Sequence, residues 1–176
     1  MTGRGPRAVG PAKVTTRGWH EPPATMFLGA MTGKVGATTT GSHHMSYVQQ
    51  LLDTYPRSFN VDKDLLASCI QACVDCAQAC TACADACLSE EAVAEMAKCI
   101  RLDADCSDVC AATGRVLSRQ TEYDANVTRA VLEACRTACA ACADECERHS
   151  HEHCRVCAEA CRRCEQECAR LLDAIT

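Results

Sequence analysis

The chain has 176 residues, a net charge of −5, and 18 cysteines against one Trp, three Tyr and two Phe. A core usually leans on aromatic side chains for buried area, so thiols must fill many of the positions those residues would take. Residues 1–44 hold five Lys/Arg and one acid; the remainder holds 13 basic and 22 acidic residues, a net of −9, which argues against a nucleic-acid binder, and no stretch approaches the roughly 18–20 apolar residues of a membrane span.

Residues 1–44 are rich in Gly, Thr and Pro with no hydrophobic period, and read as a disordered tail before a cysteine-rich unit over 45–176. Gly41-Ser-His-His-Met45 resembles an expression-vector junction, and Met26, Met31 and Met45 are alternative starts. The apolar run from Thr25 to Met31 is short, contains Gly29 and follows no twin-Arg pair. The expectation is a chain without an export signal, in the reducing cytoplasm.

From Ser46 the pattern turns helical. Ser46 is expected to cap a short helix from Tyr47 to Thr54, stopped ahead of Pro56. Asn60 or Asp62 then caps a long helix running to about Leu88. Ser89, followed by Glu90 and Glu91, is expected to open a second helix reaching about Ser118. Thr121-x-x-Asp124 predicts the start of a third, ending near His149, and Ser150 is expected to cap a fourth running to about Ala174. Four long helices with very short connections must be antiparallel neighbours. The predicted fold class is all-α: an antiparallel up-down four-helix bundle with a short N-terminal helix.

Cysteine spacing carries the chemistry. The first long helix holds Cys69, Cys73, Cys76, Cys80, Cys83 and Cys87; the third holds Cys135, Cys139, Cys142 and Cys146; the fourth holds Cys154, Cys157, Cys161, Cys164 and Cys168. Steps alternate between three and four, the seam a helix turns toward its partners in a bundle. The second helix keeps the register with Cys99, Cys106 and Cys110, and the seam slots at 96 and 103 hold Met96 and Asp103. A buried carboxylate needs a partner or a proton, and Asp103 is expected to pair with a histidine or with an acidic proton.

One or two cysteines can pack as small hydrophobes, but a stripe on four helices exceeds that role. Disulfides along one helix would be strained, because Cβ atoms three or four residues apart sit about 5–6 Å from each other and a disulfide wants about 3.8 Å. Soft thiolates select Cu(I), Zn(II) or iron–sulfur clusters. Zinc favours discrete four-ligand knuckles, and cluster spacings such as CxxCxxC are absent. A continuous column suits low-coordinate Cu(I) first and zinc second. A di-iron enzyme would need inward Glu-x-x-His pairs, which the chain lacks.

The stripes at Cys69–Cys87, Cys135–Cys146 and Cys154–Cys168 resemble those of the four-helix-bundle copper storage protein family, over about residues 46–176. The resemblance implies multiple Cu(I) ions per chain, bound mainly by pairs of Cys, in a cytosolic homotetramer. Alternatives are a zinc or metallothionein-like buffer and a copper chaperone, which stoichiometry separates. Asp103 and the three-Cys second helix depart from the family pattern.

The two ends of the predicted bundle differ. One carries Leu65, Leu66, Val116, Leu117, Val131, Leu132, Leu171, Leu172 and Ile175, an apolar plug. The other carries Met96 and the run from His149 to His153. Extending the third-helix seam from Cys146 places His149 and His153 on it as candidate ligands where copper arrives. His151 falls off the seam and is expected to face solvent.

Overall fold

A computed structural model describes residues 46–175, and the expected tail lies outside them. The elements are α1 (Tyr47–Asp53), α2 (Lys63–Leu88), a 3-10 turn (Val93–Met96), α3 (Ala97–Leu117), α4 (Ala125–Cys146) and α5 (Glu152–Ala174). Around the bundle, α2 packs on α3 and α5, and α4 packs on the same two, while α1 lies against α2. Short connections make successive helices antiparallel, giving the expected four-helix architecture.

Local chemistry sets the helix starts. Ser46 Oγ accepts from Gln49 N, Asp62 Oδ1 from Leu65 N at 2.8 Å, and Asp124 Oδ1 from Asn126 N and Val127 N. Two expected starts are corrected. Ser89 does not open a helix: its N–H donates to the carbonyls of Ala86 and Cys87, and its backbone is α-like. It therefore closes α2, since an N-cap needs extended backbone. The second helix begins only at Ala97, after the 3-10 turn. Ser150 likewise does not cap α5; His151 holds that position with no side-chain cap bond. Asp124 alone, without Thr121, caps α4; the Thr121 hydroxyl pairs instead with Tyr55 Oη at 2.9 Å.

Helix α2 is long and apolar enough to cross a membrane by length and hydropathy alone, contrary to the expectation above. Its apolarity comes from six cysteines and its alanines, and its thiols are turned into the bundle. Buried Leu66, Leu117, Leu132, Leu171 and Ile175 form the expected plug, joined by Ile70. Val116, Val131, Leu65 and Leu172 are only partly buried at its edge. Small residues allow close helix approach: Ser107 Oγ donates to Ala77 O at 2.9 Å and meets Thr81 Oγ1 at 2.7 Å, clasping α2 to α3.

Candidate metal centre

Beyond the plug, the seam positions of all four helices carry sulfur. All 18 cysteines are buried and free, none more than 2 % exposed. Eleven of the Sγ atoms form one connected network with contacts of 3.4–4.0 Å, such as Cys110–Cys139 at 3.4 Å and Cys80–Cys161 at 3.5 Å. Cys69 pairs with Cys168 at 3.9 Å, Cys99 pairs with Cys146 at 3.6 Å, and Cys83, Cys87 and Cys154 gather around His153. A disulfide needs about 2.05 Å, so these are packed thiols. Each helix contributes because its alternating steps of three and four keep the sulfurs on one line facing the axis.

The column runs from Cys69 and Cys168 beside the plug, through Cys73, Cys110, Cys135 and Cys164, to Cys76, Cys106, Cys139 and Cys161. Cys80, Cys142 and Cys157 follow. Groups of four sulfurs lie within 4.8 Å of one another, but the groups overlap: Cys76 and Cys106 belong to two, as do Cys80 and Cys161. A tetrahedral zinc site with Zn–S near 2.3 Å would set sulfurs about 3.8 Å apart, so spacing alone suits zinc as well. Sharing decides between them. Overlapping quartets can all hold four-thiolate ions only by bridging through the shared sulfurs, whereas two-coordinate Cu(I) needs just two thiolates for each ion.

Asp103, fully buried on α3, replaces one sulfur. Cys142 donates to its Oδ1 at 3.0 Å, with Cys157 at 3.4 Å and Cys146 at 3.5 Å, and Cys99 donates to Oδ2 at 3.8 Å. Of the two expected partners, a histidine does not bond to it among the described residues; acidic protons do, from four thiols. Burial first, then the bond from Cys142, pushes the carboxyl up to about 9. Asp103 is thus a neutral acid at pH 7, tolerable inside a sulfur core.

At the open end, His153 Nδ1 lies 3.5 Å from the sulfurs of Cys83 and Cys154 and 4.0 Å from that of Cys87. Its Nε2 meets Glu90 Oε1 at 3.0 Å. A carboxylate only accepts, so the ring proton sits on Nε2 and the Nδ1 lone pair faces the three thiols. Burial raises Cys154 to about 11 and also raises Cys87 and Cys99, so these mouth thiols stay protonated without metal. Deeper in, Cys76 is lowered by surrounding donors, Cys106 first, while Cys80 and Cys139 are raised by theirs.

The remaining expected residues are placed as follows. Met96 is buried at the end of the 3-10 turn, beside α2 and α3. His149 is drawn to Glu145, Nε2 to Oε1 at 3.7 Å, and Glu145 is held by Lys98 at 2.6 Å. His151 does not simply face solvent: its ring stacks on that of His153 with centroids 5.3 Å apart, and Nε2 lies 3.4 Å from Glu90 Oε2. Glu90, Glu145 and Lys98 were not among the expected site residues. The four-residue step from Glu145 to His149 was a usable signal; Glu90 was hidden by its assignment to a helix that starts later.

The chain matches the copper storage protein family over residues 62–173. It is 66 % identical to the copper storage protein of Streptomyces lividans solved with 10 copper equivalents, with a TM-score of 0.71, covering 72 % of this chain and 98 % of that one. A five-copper structure described as cytosolic, from the same organism, is 70 % identical over 62 % of this chain and 93 % of that one, with a TM-score of 0.62. The Cu(I)-bound copper storage protein of Bacillus subtilis is 35 % identical, with a TM-score of 0.56, covering 61 % of this chain and 98 % of that one. Among curated proteins no match was found. With its sulfur column, its bundle and these likenesses taken together, the chain belongs to the copper storage protein family.

Proposed function

We propose that the chain stores Cu(I) in the cytosol, with all 18 cysteines as ligands and with His153, His149, Met96 and Asp103 governing how ions reach them. The observation that carries this reading is the column of 18 buried, unbridged sulfurs. Eighteen thiols taken in pairs offer nine places, and bridging thiolates allow more. Sequestration follows from depth: an ion beneath the mouth is shielded from water and from thiol oxidation. Loading exchanges protons for metal, because a thiol binds as thiolate.

The lone pair of His153 among Cys83, Cys87 and Cys154 makes a mixed sulfur and nitrogen station where an arriving ion is first held. Asp103, below it, accepts from thiols on α3, α4 and α5, so the first ions to displace those protons free the carboxyl to reorient. The plug closes the other end. Assembly as a homotetramer is the family expectation, and the exposed valines Val74, Val127 and Val156 are residues an interface would cover; sedimentation of the reduced protein tests it.

Anaerobic Cu(I) titration of the reduced chain, with metal analysis after gel filtration, tests the whole reading. The expected result is nine or more Cu(I) per chain. One or two ions would instead mark a chaperone, and zinc retained against Cu(I) would mark a zinc buffer. His153→Ala is expected to slow uptake severalfold while leaving most of the capacity, and unchanged kinetics in it would remove the port.

A further inference from the structure

The storage reading uses the Nδ1 edge of His153 and leaves its other edge unexplained. There, three side chains from two connections converge: Glu90 between α2 and α3, and His151 and His153 at the start of α5. Glu90 Oε1 is 3.0 Å from His153 Nε2, and Oε2 is 3.4 Å from His151 Nε2. The first contact is a hydrogen bond. The second has ion-pair distance only, and the buried Nδ1 of His151 has no hydrogen-bond partner. Hydrogen bonding therefore does not account for why the second imidazole is held here. The rings are stacked, 25° from parallel, so both Nε2 atoms lie along the same carboxylate.

The 3.4 Å spacing is that of ligands around one ion, and the 3.0 Å hydrogen bond lies a few tenths of an ångström inside it. With metal bonds of 2.0–2.1 Å to imidazole and carboxylate, tetrahedral ligand atoms stand about 3.3–3.4 Å apart. Two imidazoles and one carboxylate form a borderline donor set, suited to Zn(II) or Cu(II), whereas Cu(I) prefers the thiolates on the far side of the His153 ring. At 24–36 % exposure the three side chains are open enough to receive an ion and leave a fourth position to water.

We propose that Glu90, His151 and His153 form a second metal site for one divalent cation of the Zn(II)/Cu(II) class, seated outside the thiolate column at its mouth. On binding, the cation takes the Nε2 lone pair of His153. Where Cu(I) holds Nδ1, the Nε2 proton passes to solvent and the ring bridges the two metals as imidazolate. Where Nδ1 is free, the ring changes tautomer, taking a proton at Nδ1 as Nε2 releases its own. With Nδ1 occupied, the ring is fixed across Cys83, Cys87 and Cys154. A filled outer site therefore retards Cu(I) leaving the column. This consequence rests on the storage reading; the site itself does not.

The test uses protein loaded with Cu(I) anaerobically, its copper content measured first, then titrated with Co(II) followed by absorbance and with Zn(II) by calorimetry. The expected result is one cation per chain, a cobalt d–d spectrum without sulfur-to-metal charge transfer, and at least tenfold weaker binding in Glu90→Gln and in His151→Ala. The His151→Ala chain keeps its full copper content. One equivalent of Zn(II) slows transfer of Cu(I) to a cuprous chelator severalfold in the unaltered chain and not in His151→Ala. No bound cobalt, binding in both variants equal to that of the unaltered chain, or, in copper-loaded protein, a sulfur charge-transfer band lost in His151→Ala overturns the site. Failure to load Cu(I) would strike the storage reading alone, since the difference in cobalt spectrum between the unaltered chain and His151→Ala still reports the outer site.

Discussion

At one end of the bundle the inward seam carries Leu66, Leu117, Leu132, Leu171 and Ile175; over the rest of its length the same seam, in the same register, carries cysteine. Both regions are buried to the same degree, yet they do different work. A fully buried Leu contributes about 1.5–3 kcal/mol by leaving water. A thiol contributes less, and its neighbours are packed sulfurs that can exchange protons for metal. The plug therefore holds the metal-free bundle together at one end, while the column gains its cohesion when ions arrive. Fold and function are separated along one axis.

Copper itself is the largest perturbation of that division. Each independent site adds about 4 kcal/mol to stability when free metal is a thousandfold above its dissociation constant, and for a chain of this size 1 kcal/mol moves the melting point about 2–4 °C. Loading the column is expected to raise the melting temperature by more than ~10 °C. Calorimetry of reduced metal-free and loaded protein measures this. Coincident transitions would mean the column is already as cohesive as the plug.

Single substitutions separate the regions next. Leu132→Ala removes a fully buried plug residue and is expected to cost about 3 kcal/mol in the metal-free protein, read as a lower urea midpoint, with copper capacity intact. Cys139→Ala in the column should cost only about 1 kcal/mol without metal while lowering the copper bound at saturation. A reversal of this pattern would dissolve the contrast.

How much of this was legible beforehand follows the same contrast. The seam was readable wherever a residue repeats at three and four, so α2, α4, α5 and the sulfur column were placed from spacing, and the plug emerged by continuing it. Most of what failed lies at the open end, where no period operates. Ser89 has the composition of a cap but closes α2, because its backbone is already helical. That displacement took Glu90 out of the expected helix and against His153. His151 was judged by helical phase, yet it precedes the first turn of α5, where phase does not apply. That thiols supply the acidic protons at Asp103 was not legible, because only packing brings Cys99, Cys142, Cys146 and Cys157 to one carboxylate.

Asp103 interrupts the column with a hard group, and pH probes its cost. Its folded pKa, about 9, lies well above the ordinary aspartate value of 3.8. The folded state therefore holds the proton more tightly than the unfolded chain. Stability from this group is full below pH ~4 and is lost progressively as pH rises toward ~9. Each unit is worth about 1.4 kcal/mol, and relaxation around the carboxyl leaves an expected net loss of ~2 kcal/mol between pH 5 and pH 8. Asp103→Asn, which cannot ionise, is expected to flatten that slope in the metal-free protein, checked by urea unfolding at both pH values. Equal slopes would mean that the carboxyl already ionises at neutral pH among its thiols.

The smallest effect belongs to the charged clasp beside the mouth. Glu145 is nearly buried, and Lys98, with its ammonium 2.6 Å away, is the main reason its carboxyl is held below the ordinary range. Lys98 is largely exposed, so water screens the pair, and Lys98→Ala is expected to cost at most about 1 kcal/mol. A lowered folded pKa contributes stability above the unfolded value and loses it as pH falls. The deficit of Lys98→Ala should therefore be present at pH 7, shrink below pH ~4.5 and diminish in high salt. Arg148 at 3.5 Å remains to hold the carboxylate, so copper capacity should not change. If this surface lysine instead cost as much as Leu132→Ala, the open end would be carrying folding stability, and assigning cohesion to the plug would have to be abandoned.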